Sequence, residues 1–326
     1  MNIDAIKQEL DLNIIEEIAN IKGGNSTVIK VKLSDGSFAA LKLYKGESSR
    51  IKRMLQRELG AISFLNSQNF LNIPEILEAR IDLGLIAYRW IEGTHPQSDS
   101  KSMEKIISMC LDLNKLNMSG AHFSDAIDAA YSLHEIENQI EDRIIGLMRN
   151  YPLYLSISFR SMLEFKLNQY REIFTKNQLF LRHTLSISDL GTHNMLFANN
   201  MYTFIDFEFF GKDSIEKMVG DFLLHPRNEF NKAEVLKFID EISKNLKWDY
   251  KILTSLLPLL SLKWAVIVFE RLLKETIASN TSITHSVLPS NSIEIKYLEY
   301  FDFLVTNMIS SNTSSILTFH QFTDMI

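Results

Sequence analysis

Cysteine, proline and glycine are all scarce in this sequence of 326 residues. The single cysteine, Cys110, excludes an internal disulfide and is what we expect of a protein in a reducing compartment. Six prolines and twelve glycines argue against long disordered linkers. Because 34 basic residues face 40 acidic ones, for a net charge of -6, the composition also argues against a nucleic-acid-binding protein.

Long hydrophobic runs are absent as well. The most apolar stretch, residues 256–269, contains Pro258 and Lys263 and is too short to span a bilayer comfortably. It predicts a buried helix, in which residues 262–264 either line a pocket or, as the pattern favours, pack in the core while Lys263 extends its ammonium towards solvent. The first residues lack the basic start and apolar core of a signal peptide. We therefore expect a cytoplasmic protein without a membrane span, while the oligomeric state stays open.

The chain changes character near residue 93. Before it, Ile29, Val31 and Leu33 alternate with lysines as in a half-buried strand, and a second strand is predicted at residues 38–44. Residues 49–66 show the apolar spacing of a helix. After residue 93, helical patterns dominate. They cover residues 101–118, 126–149, 154–176, 214–224, 231–246, 250–275 and 293–309.

A predicted hairpin carries the residues most suggestive of chemistry. The apolar runs 195–197 and 202–205 flank a polar turn at residues 198–200. Folding about residue 200 would set Asn194 opposite Asp206, with Cβ atoms about 4.5–5.5 Å apart. An amide oxygen and a carboxylate are hard ligands that suit Mg²⁺. The pair therefore predicts a magnesium site at the open end of the hairpin.

Asp189 lies five residues before Asn194, on the loop that enters the hairpin. A carboxylate there can accept the proton of an attacking hydroxyl while a metal ion holds phosphates. The D-x-x-x-x-N spacing, with Asp206 following, matches the template of phosphoryl transfer. Each of the three residues alone is common in ordinary turns. Together, at these spacings, they favour a site.

Lys42 and Glu58 form a second candidate pair. Glu58 falls four residues after Met54 and four before Ile62, so it lies on the apolar face of its helix. A buried carboxylate needs a partner, and Lys42 lies in the middle of the second strand. Kinases use such a pair to direct an ammonium group to the phosphates of ATP. In the alternative, Lys42 reaches solvent from an edge strand and Glu58 lies at the flank of its helix.

The segment Gly23-Gly24-Asn25-Ser26 precedes Lys42, as a loop that covers phosphates should. The backbone and hydroxyl donors of Gly24, Asn25 and Ser26 are candidates for contacting nucleotide phosphates. The segment is not a Walker A motif, because no Gly-Lys-Ser/Thr follows the glycines. An ordinary β-turn is an equally open interpretation.

In this order, the motifs resemble the aminoglycoside phosphotransferase and choline kinase-like family, over about residues 20–95 and 180–226. The matching blocks are the glycine-containing loop, Leu41-Lys42-Leu43, Arg57-Glu58-Leu59, residues 74–77, residues 88–93, residues 188–194 and Ile205-Asp206-Phe207-Glu208. The resemblance implies an α+β, two-lobed protein-kinase-like fold. Residues 1–92 would form a small, nucleotide-binding N-lobe with an antiparallel sheet and one helix. Residues 93–326 would form a larger, mainly helical C-lobe with the catalytic loop, metal site and substrate-binding helices.

The resemblance also implies roles for the nucleotide-binding residues. Lys42 would contact the α- and β-phosphates of ATP, oriented by Glu58. The backbone of Arg89 and Ile91 would hydrogen-bond adenine. The implied activity is transfer of the γ-phosphoryl group of ATP to a hydroxyl of a small molecule, which would be a sugar, an aminoglycoside or an amino-alcohol.

The resemblance also implies roles for the residues of the predicted hairpin and of the segments on either side of it. Asp189 would be the catalytic base, and Asn194 and Asp206 would bind Mg²⁺. Asp221 would be a buried structural residue that braces the catalytic loop.

Two positions depart from the family pattern. Ile187 stands where the family usually has a histidine, two residues before the catalytic aspartate. Glu208 replaces the glycine of protein kinases, although small-molecule kinases of the family often carry glutamate there. The missing histidine keeps a nucleotide-binding pseudokinase open as an alternative. A protein kinase is the other alternative, against which the lack of an Ala-Pro-Glu segment after Asp206 argues. The acidic stretch of residues 125–142 either meets a cationic acceptor or is a solvated helix face.

Overall fold

The computed structural model describes residues 3–22, 26–118, 123–151, 157–174, 181–248, 251–278 and 296–303. The chain forms two compact units. The first unit comprises residues 1–97 and 192–211, and the second comprises residues 98–191 and 212–326. Among the described residues, no helix combines the length and the apolarity that crossing a membrane requires.

The first unit is built on a five-stranded antiparallel sheet with the strand order β1-β2-β3-β5-β4. Its strands are β1 (Ile14–Lys22), β2 (Ser26–Leu33), β3 (Phe38–Tyr44), β4 (Ile76–Arg80) and β5 (Leu85–Arg89). Helix α1 (Ile3–Glu9), which was not predicted, contributes Ile6 to a buried cluster with Val31 and Leu41. Helix α2 (Ser48–Ser67) matches the predicted helix closely.

A hairpin of β7 (Met195–Ala198) and β8 (Met201–Phe204) completes the first unit. Met195 pairs with Phe204, so Asn194 lies opposite Ile205 and not opposite Asp206, and the predicted register is wrong by one residue. The reason is the turn. Asn199 and Asn200 alone connect the strands, with φ of 49° and 61°, as in the two-residue turns that match the twist of a hairpin.

The second unit is mainly helical. Its helices are α3 (Ser100–Met118), α4 (Leu133–Asn150), α5 (Ile157–Phe174), α6 (Ile215–Leu224), α7 (Lys232–Leu246) and α8 (Lys251–Ala278). Helix α8 packs against α4, α5 and α6, while α3 packs against α7 and β6 (His183–Ser186). Strand β6 pairs with β9 (Gly211–Ser214). Of the helix predicted at residues 293–309, only 296–303 are described, and these are helical.

Helix α4 begins seven residues later than the sequence pattern predicted, at Leu133 rather than at residue 126. Ser132 ends the preceding loop, because its side chain accepts a hydrogen bond from the amide of Glu135, whose carboxylate returns to the Ser132 amide. Asp128, at a φ of 60°, cannot continue a helix. The Ser-x-x-Glu spacing was visible in the sequence and gives the correct start.

Candidate active site

Lys42 lies at the centre of three carboxylates in the first unit. Its ammonium nitrogen is 2.7 Å from Glu58 Oε2 and 2.7 Å from Asp206 Oδ1. Glu208 Oε2 lies 3.4 Å away. Lys42, Glu58 and Glu208 are buried, whereas the Asp206 side chain is 34% exposed. The predicted pairing of Lys42 with Glu58 is therefore present, and Asp206 joins it.

Strand and helix periodicity explain how Lys42 and Glu58 meet. Successive side chains of β3 point to opposite faces of the sheet, so Leu41 enters the cluster that contains Ile6 while Lys42 faces the other way. Helix α2 buries Glu58 in line with Met54 and Ile62. The alternating strand and the amphipathic helix thus bring one cation and one carboxylate together.

The charges of this cluster do not cancel. Burial alone lowers the pKa of Lys42, but the carboxylates of Glu58, Asp206 and Glu208 outweigh it and raise that pKa well above its ordinary value. Burial raises the pKa of Glu58, against the opposing effect of Lys42. The hydroxyl of Tyr44 also donates a hydrogen bond to Glu58. One ammonium among three acidic groups creates a site that favours a further cation.

The carboxylates of this cluster lie close enough to one another to share a cation. Glu58, Asp206 and Glu208 each offer a carboxylate oxygen within 4.8 Å of the others. Such hard oxygen donors suit Mg²⁺, which takes few protein ligands and completes its shell with phosphates and water. The partial exposure of Asp206 makes it the carboxylate best placed for a ligand that comes from solvent.

Asp206 is held in an unusual backbone conformation. Its φ of 67° lies in the left-handed region, a conformation that costs a non-glycine residue about 1–3 kcal/mol and persists only where the surroundings fix it. The surroundings are tight, because Phe207 is fully buried and contacts the ring of Phe210. Phe210 in turn contacts Phe64 of α2 and accepts a hydrogen bond of 2.8 Å from Arg57 through its carbonyl. Helix α2 therefore holds the segment that presents Asp206.

Asn194 ends a short 3₁₀ turn, Thr192–Asn194, at the open end of the hairpin, and it is buried. Its carbonyl accepts a hydrogen bond of 2.9 Å from the Ile205 amide. Asp206 follows Ile205 directly, so both predicted metal ligands remain at the same end of the hairpin despite the shifted register. The structure thus gathers Lys42, Glu58, Asn194 and Asp206 in one unit.

The predicted adenine contacts lie at the end of β5. The Arg89 amide donates to the carbonyl of Glu75 at 2.9 Å. The carbonyl of Ile91 accepts from Gly93, and no described residue accepts a hydrogen bond from the Ile91 amide. Ser26 begins β2, where it pairs with Tyr44. Gly24 and Asn25, also predicted to bind the nucleotide, lie outside the described residues.

Asp189 lies in the second unit, in the loop after β6. It follows Ser188, whose φ is 68° and whose amide donates to Ser186 Oγ at 2.9 Å. Asp189 Oδ1 is 3.2 Å from Nε2 of His225. Ile187, at the position where the sequence resemblance implies a histidine, is buried with 2% of its surface exposed and packs as a core residue.

Two residues that contact this loop were not predicted from the sequence. His225 contacts Asp189, and the side-chain amide of Asn228 donates to the carbonyl of Leu190 at 2.9 Å. Both come from the turn after α6, far from the loop along the chain. The sequence carried no local signal for them, apart from the helix end that Pro226 predicts.

Asp221 is part of a buried ionic network on α6. Lys217 lies 2.9 Å from its Oδ2, and Nε1 of Trp264 donates to its Oδ1 at 3.0 Å. Burial opposes its ionisation, but Lys217 and Lys263 keep the pKa of Asp221 below its ordinary value. These contacts are those of a structural carboxylate. The role of Asp221 in bracing the catalytic loop stays a prediction.

Most of the acidic stretch at residues 125–142 is engaged within the protein. Asp128 is paired with Arg143. Glu137 and Glu141 lie 3.1 Å and 2.7 Å from the guanidinium of Arg171. These internal ion pairs weaken the interpretation that the stretch awaits a cationic acceptor.

Comparisons with known proteins identify the fold. No protein-family model matches the sequence, and the search of curated proteins gives no match. Among solved structures, a choline kinase from Streptococcus pneumoniae is similar, with a TM-score of 0.59 and 14% identity over 94% of this chain and 98% of the other. A spectinomycin phosphotransferase in complex with ADP and spectinomycin has a TM-score of 0.56 and 13% identity, over 99% and 96%. An amicoumacin kinase in complex with AMP-PNP and Ca²⁺ has a TM-score of 0.56 and 12% identity, over 98% and 96%.

These structures confirm the predicted fold class. The chain has the α+β, protein-kinase-like fold that these small-molecule phosphotransferases share. The resemblance that the sequence motifs indicated is therefore confirmed at the level of the fold. The predicted division between residues 92 and 93 stays a prediction.

Proposed function

We propose that this protein is an ATP-dependent small-molecule kinase, which transfers the γ-phosphoryl group to a hydroxyl of its acceptor. The observation that carries the proposal is the position of Lys42, 2.7 Å from both Glu58 and Asp206 in a fold found in phosphotransferases. A lysine buried among three carboxylates is costly, because the charges are removed from water, even though the ion pairs stabilise the folded unit once they have formed. It serves well as a charged group that a polyanionic ligand can use.

The residues of the first unit would bind the nucleotide. Lys42 would contact the α- and β-phosphates, with Glu58 holding its ammonium in place. The backbone of Arg89 and Ile91 would receive the adenine, and Gly24, Asn25 and Ser26 would cover the phosphates. The ADP complex of the spectinomycin phosphotransferase supports nucleotide binding in this fold.

Asp206 and Asn194 would hold Mg²⁺. Their carboxylate and amide oxygens are the hard donors that this ion prefers. When bound, the cation neutralises negative charge on the phosphates. A divalent cation accompanies the nucleotide analogue in the amicoumacin kinase complex, where it is Ca²⁺.

Asp189 would act as the base that receives the proton of the acceptor. As the hydroxyl oxygen forms its bond to the γ-phosphorus, the bond to the β–γ bridging oxygen breaks and ADP leaves with the electron pair. The hydroxyl proton passes to the Asp189 carboxylate. Little other covalent chemistry is required, so positioning and charge account for most of the catalysis.

The acceptor class is a sugar, an aminoglycoside or an amino-alcohol. The similar structures support this range, since they include a choline kinase and a spectinomycin phosphotransferase. The internal pairing of Glu137 and Glu141 with Arg171 gives no preference for a cationic member of it.

A panel assay tests the proposal. Purified protein is incubated with ATP, Mg²⁺ and single acceptors (choline, ethanolamine, spectinomycin, an aminoglycoside, a macrolide and simple hexoses), and ADP release and acceptor mass are measured. We expect ADP release that depends on one acceptor class, on Mg²⁺, and yields an acceptor heavier by one phosphoryl group. ATP binding without turnover on any acceptor, and without phosphorylation of protein, would contradict the proposal and support a pseudokinase. Phosphate found only on protein would support a protein kinase.

A further inference from the structure

The turn after α6 places a histidine against the candidate base. His225 ends α6 with φ of -64° and ψ of 125°, the extended conformation that the following Pro226 imposes on its neighbour. Its ring meets Trp264 of α8 edge-on, with centroids 5.1 Å apart at an angle of 88°. Its carbonyl accepts from the Asn228 amide at 3.0 Å. The orientation of the His225 imidazole is therefore fixed by its backbone conformation, by its contact with Trp264 and by the hydrogen bond within the turn.

The hydrogen bonds of His225 define which nitrogen carries the proton. The Arg227 amide donates to Nδ1 at 3.1 Å, so Nδ1 is an acceptor and holds no proton. A neutral imidazole with an unprotonated Nδ1 carries its proton on Nε2. That nitrogen is the one that lies 3.2 Å from Asp189 Oδ1. The donor and the carboxylate therefore face each other without any need for a charged histidine.

We infer that His225 is a positioning residue, whose Nε2 proton holds the Asp189 carboxylate in the orientation that proton transfer needs. This inference deepens the proposed function and rests on it. Ile187 fills core space where the family has its histidine, and His225 supplies an imidazole to the same loop from a distant part of the sequence. A neutral donor orients the carboxylate without the full positive charge that would weaken it as a base.

The same turn steadies the rest of the loop. Ser188 occupies the left-handed region just before Asp189, a conformation that lasts only where its surroundings fix it. The Ser186 hydroxyl holds the Ser188 amide on one side, and Asn228 holds the Leu190 carbonyl on the other. These two contacts fix the backbone on either side of Asp189, and His225 contacts the Asp189 side chain itself.

Two substitutions of His225 separate positioning from packing. His225→Phe keeps the ring contact with Trp264 and removes the donor, while His225→Gln removes the ring and restores an amide donor. We expect kcat to fall about 10- to 100-fold in His225→Phe, the cost of a misplaced catalytic group, with the KM for ATP unchanged. His225→Gln should recover most of that loss. His134→Phe, a change of an exposed histidine on α4, is the matched control and should leave kcat unchanged.

The measurements use Mg²⁺, ATP and the first acceptor that the wild type phosphorylates in the panel, together with ¹⁵N spectra of the histidine side chains. We expect the spectra of the wild type to show a neutral His225 with its proton on Nε2. A proton on Nδ1, an unchanged kcat in His225→Phe, or equal losses in the Phe and Gln variants would overturn the inference. Failure of the proposed function is recognised separately. If the wild type phosphorylates no acceptor, the positioning role is overturned as well, whichever tautomer the spectra show.

Discussion

The proposed binding of nucleotide phosphates depends most on Lys42. Its removal would leave Glu58 and Glu208, with 1% and 2% of their side chains exposed, beside Asp206 without their shared cation. Breaking a buried ion pair from one side costs about 3–5 kcal/mol, since the remaining charge has no partner. Both the stability of the first unit and its affinity for phosphates should therefore depend on this ammonium.

We predict that Lys42→Met lowers kcat/KM for ATP by at least about 100-fold and also lowers the melting temperature. ADP release and thermal unfolding measure the two effects. Lys52→Met, which removes an exposed lysine from α2, is the control and should change neither. Wild-type turnover in Lys42→Met would show that the cluster has no part in binding phosphates.

Sequence patterns predict the position of a residue when the periodicity of a single helix or strand determines it. Glu58 was identified because helical spacing alone puts it on the buried face, and Lys42 because it interrupts an apolar strand. His225 and the hydroxyl of Tyr44 were missed, since their contacts with Asp189 and Glu58 depend on tertiary structure. The expectation that Lys263 reaches solvent is wrong for the same reason, because Gln139 on α4 meets it inside the protein at 2.8 Å.

At the scale of elements, the hairpin of β7 and β8 depends on its contact with the segment after β5. Thr94 and Phe197 exchange two backbone hydrogen bonds of 3.2 Å and 2.8 Å. A Cβ atom on Gly93 would lie 2.8 Å from the Phe197 carbonyl oxygen and 3.2 Å from the Ala198 Cβ. Because one of these atoms belongs to the backbone, a methyl group at residue 93 would push the hairpin away.

We predict that Gly93→Ala destabilises the protein by about 1–3 kcal/mol, the usual cost of overpacking. Gly146→Ala is the matched control. It lies in α4 with nothing within 4 Å of its added Cβ, so we expect it to stabilise the helix by about 0.5–1 kcal/mol. Urea unfolding of both variants measures the difference, and a Gly93→Ala protein as stable as Gly146→Ala would contradict the close contact.

Element boundaries show where sequence patterns reach their limit. The hairpin was predicted, but its register differs by one residue because two left-handed asparagines, and not three turn residues, connect the strands. The start of α4 was misplaced because the apolar pattern continues through residues 126–132, where Asp128 breaks the helix. In both cases backbone geometry at one or two residues decides the outcome.

At the scale of the whole molecule, the buried charges of the second unit make stability depend on pH. Lys217 lies 2.7 Å from Asp213 and 2.9 Å from Asp221, an arrangement in which the carboxylates outweigh burial and raise the pKa of Lys217. Burial instead lowers the pKa of Lys263 to about 8. The protein thus contains one buried lysine that its partners stabilise in the charged form and one whose charged form burial destabilises.

We predict that the free energy of unfolding rises with pH between about 8 and 10.4 relative to a Lys263→Met variant. Within this window the unfolded chain binds a proton that folded Lys263 has already released, so raising the pH favours the folded state. Below pH 8 both states hold the proton and the full cost of burying the charge is present. Each tenfold loss of proton affinity on folding corresponds to about 1.4 kcal/mol. Urea unfolding of both proteins across this pH range gives the difference between their free energies of unfolding, in which the contributions of the other lysines cancel. A difference that stays constant or falls as the pH rises would contradict the prediction.

A comparison of Asp189→Asn with Asp206→Asn separates proton transfer from cation binding. Calorimetric titration with AMP-PNP and Mg²⁺ gives the affinity, and ADP release with the accepted substrate gives the turnover. Because Asp189 is assigned to the proton and Asp206 to the cation, Asp189→Asn should bind within about threefold of the wild type and lose turnover, whereas Asp206→Asn should lose both. Undiminished turnover in Asp189→Asn, or undiminished binding with Mg²⁺ in Asp206→Asn, would contradict the account.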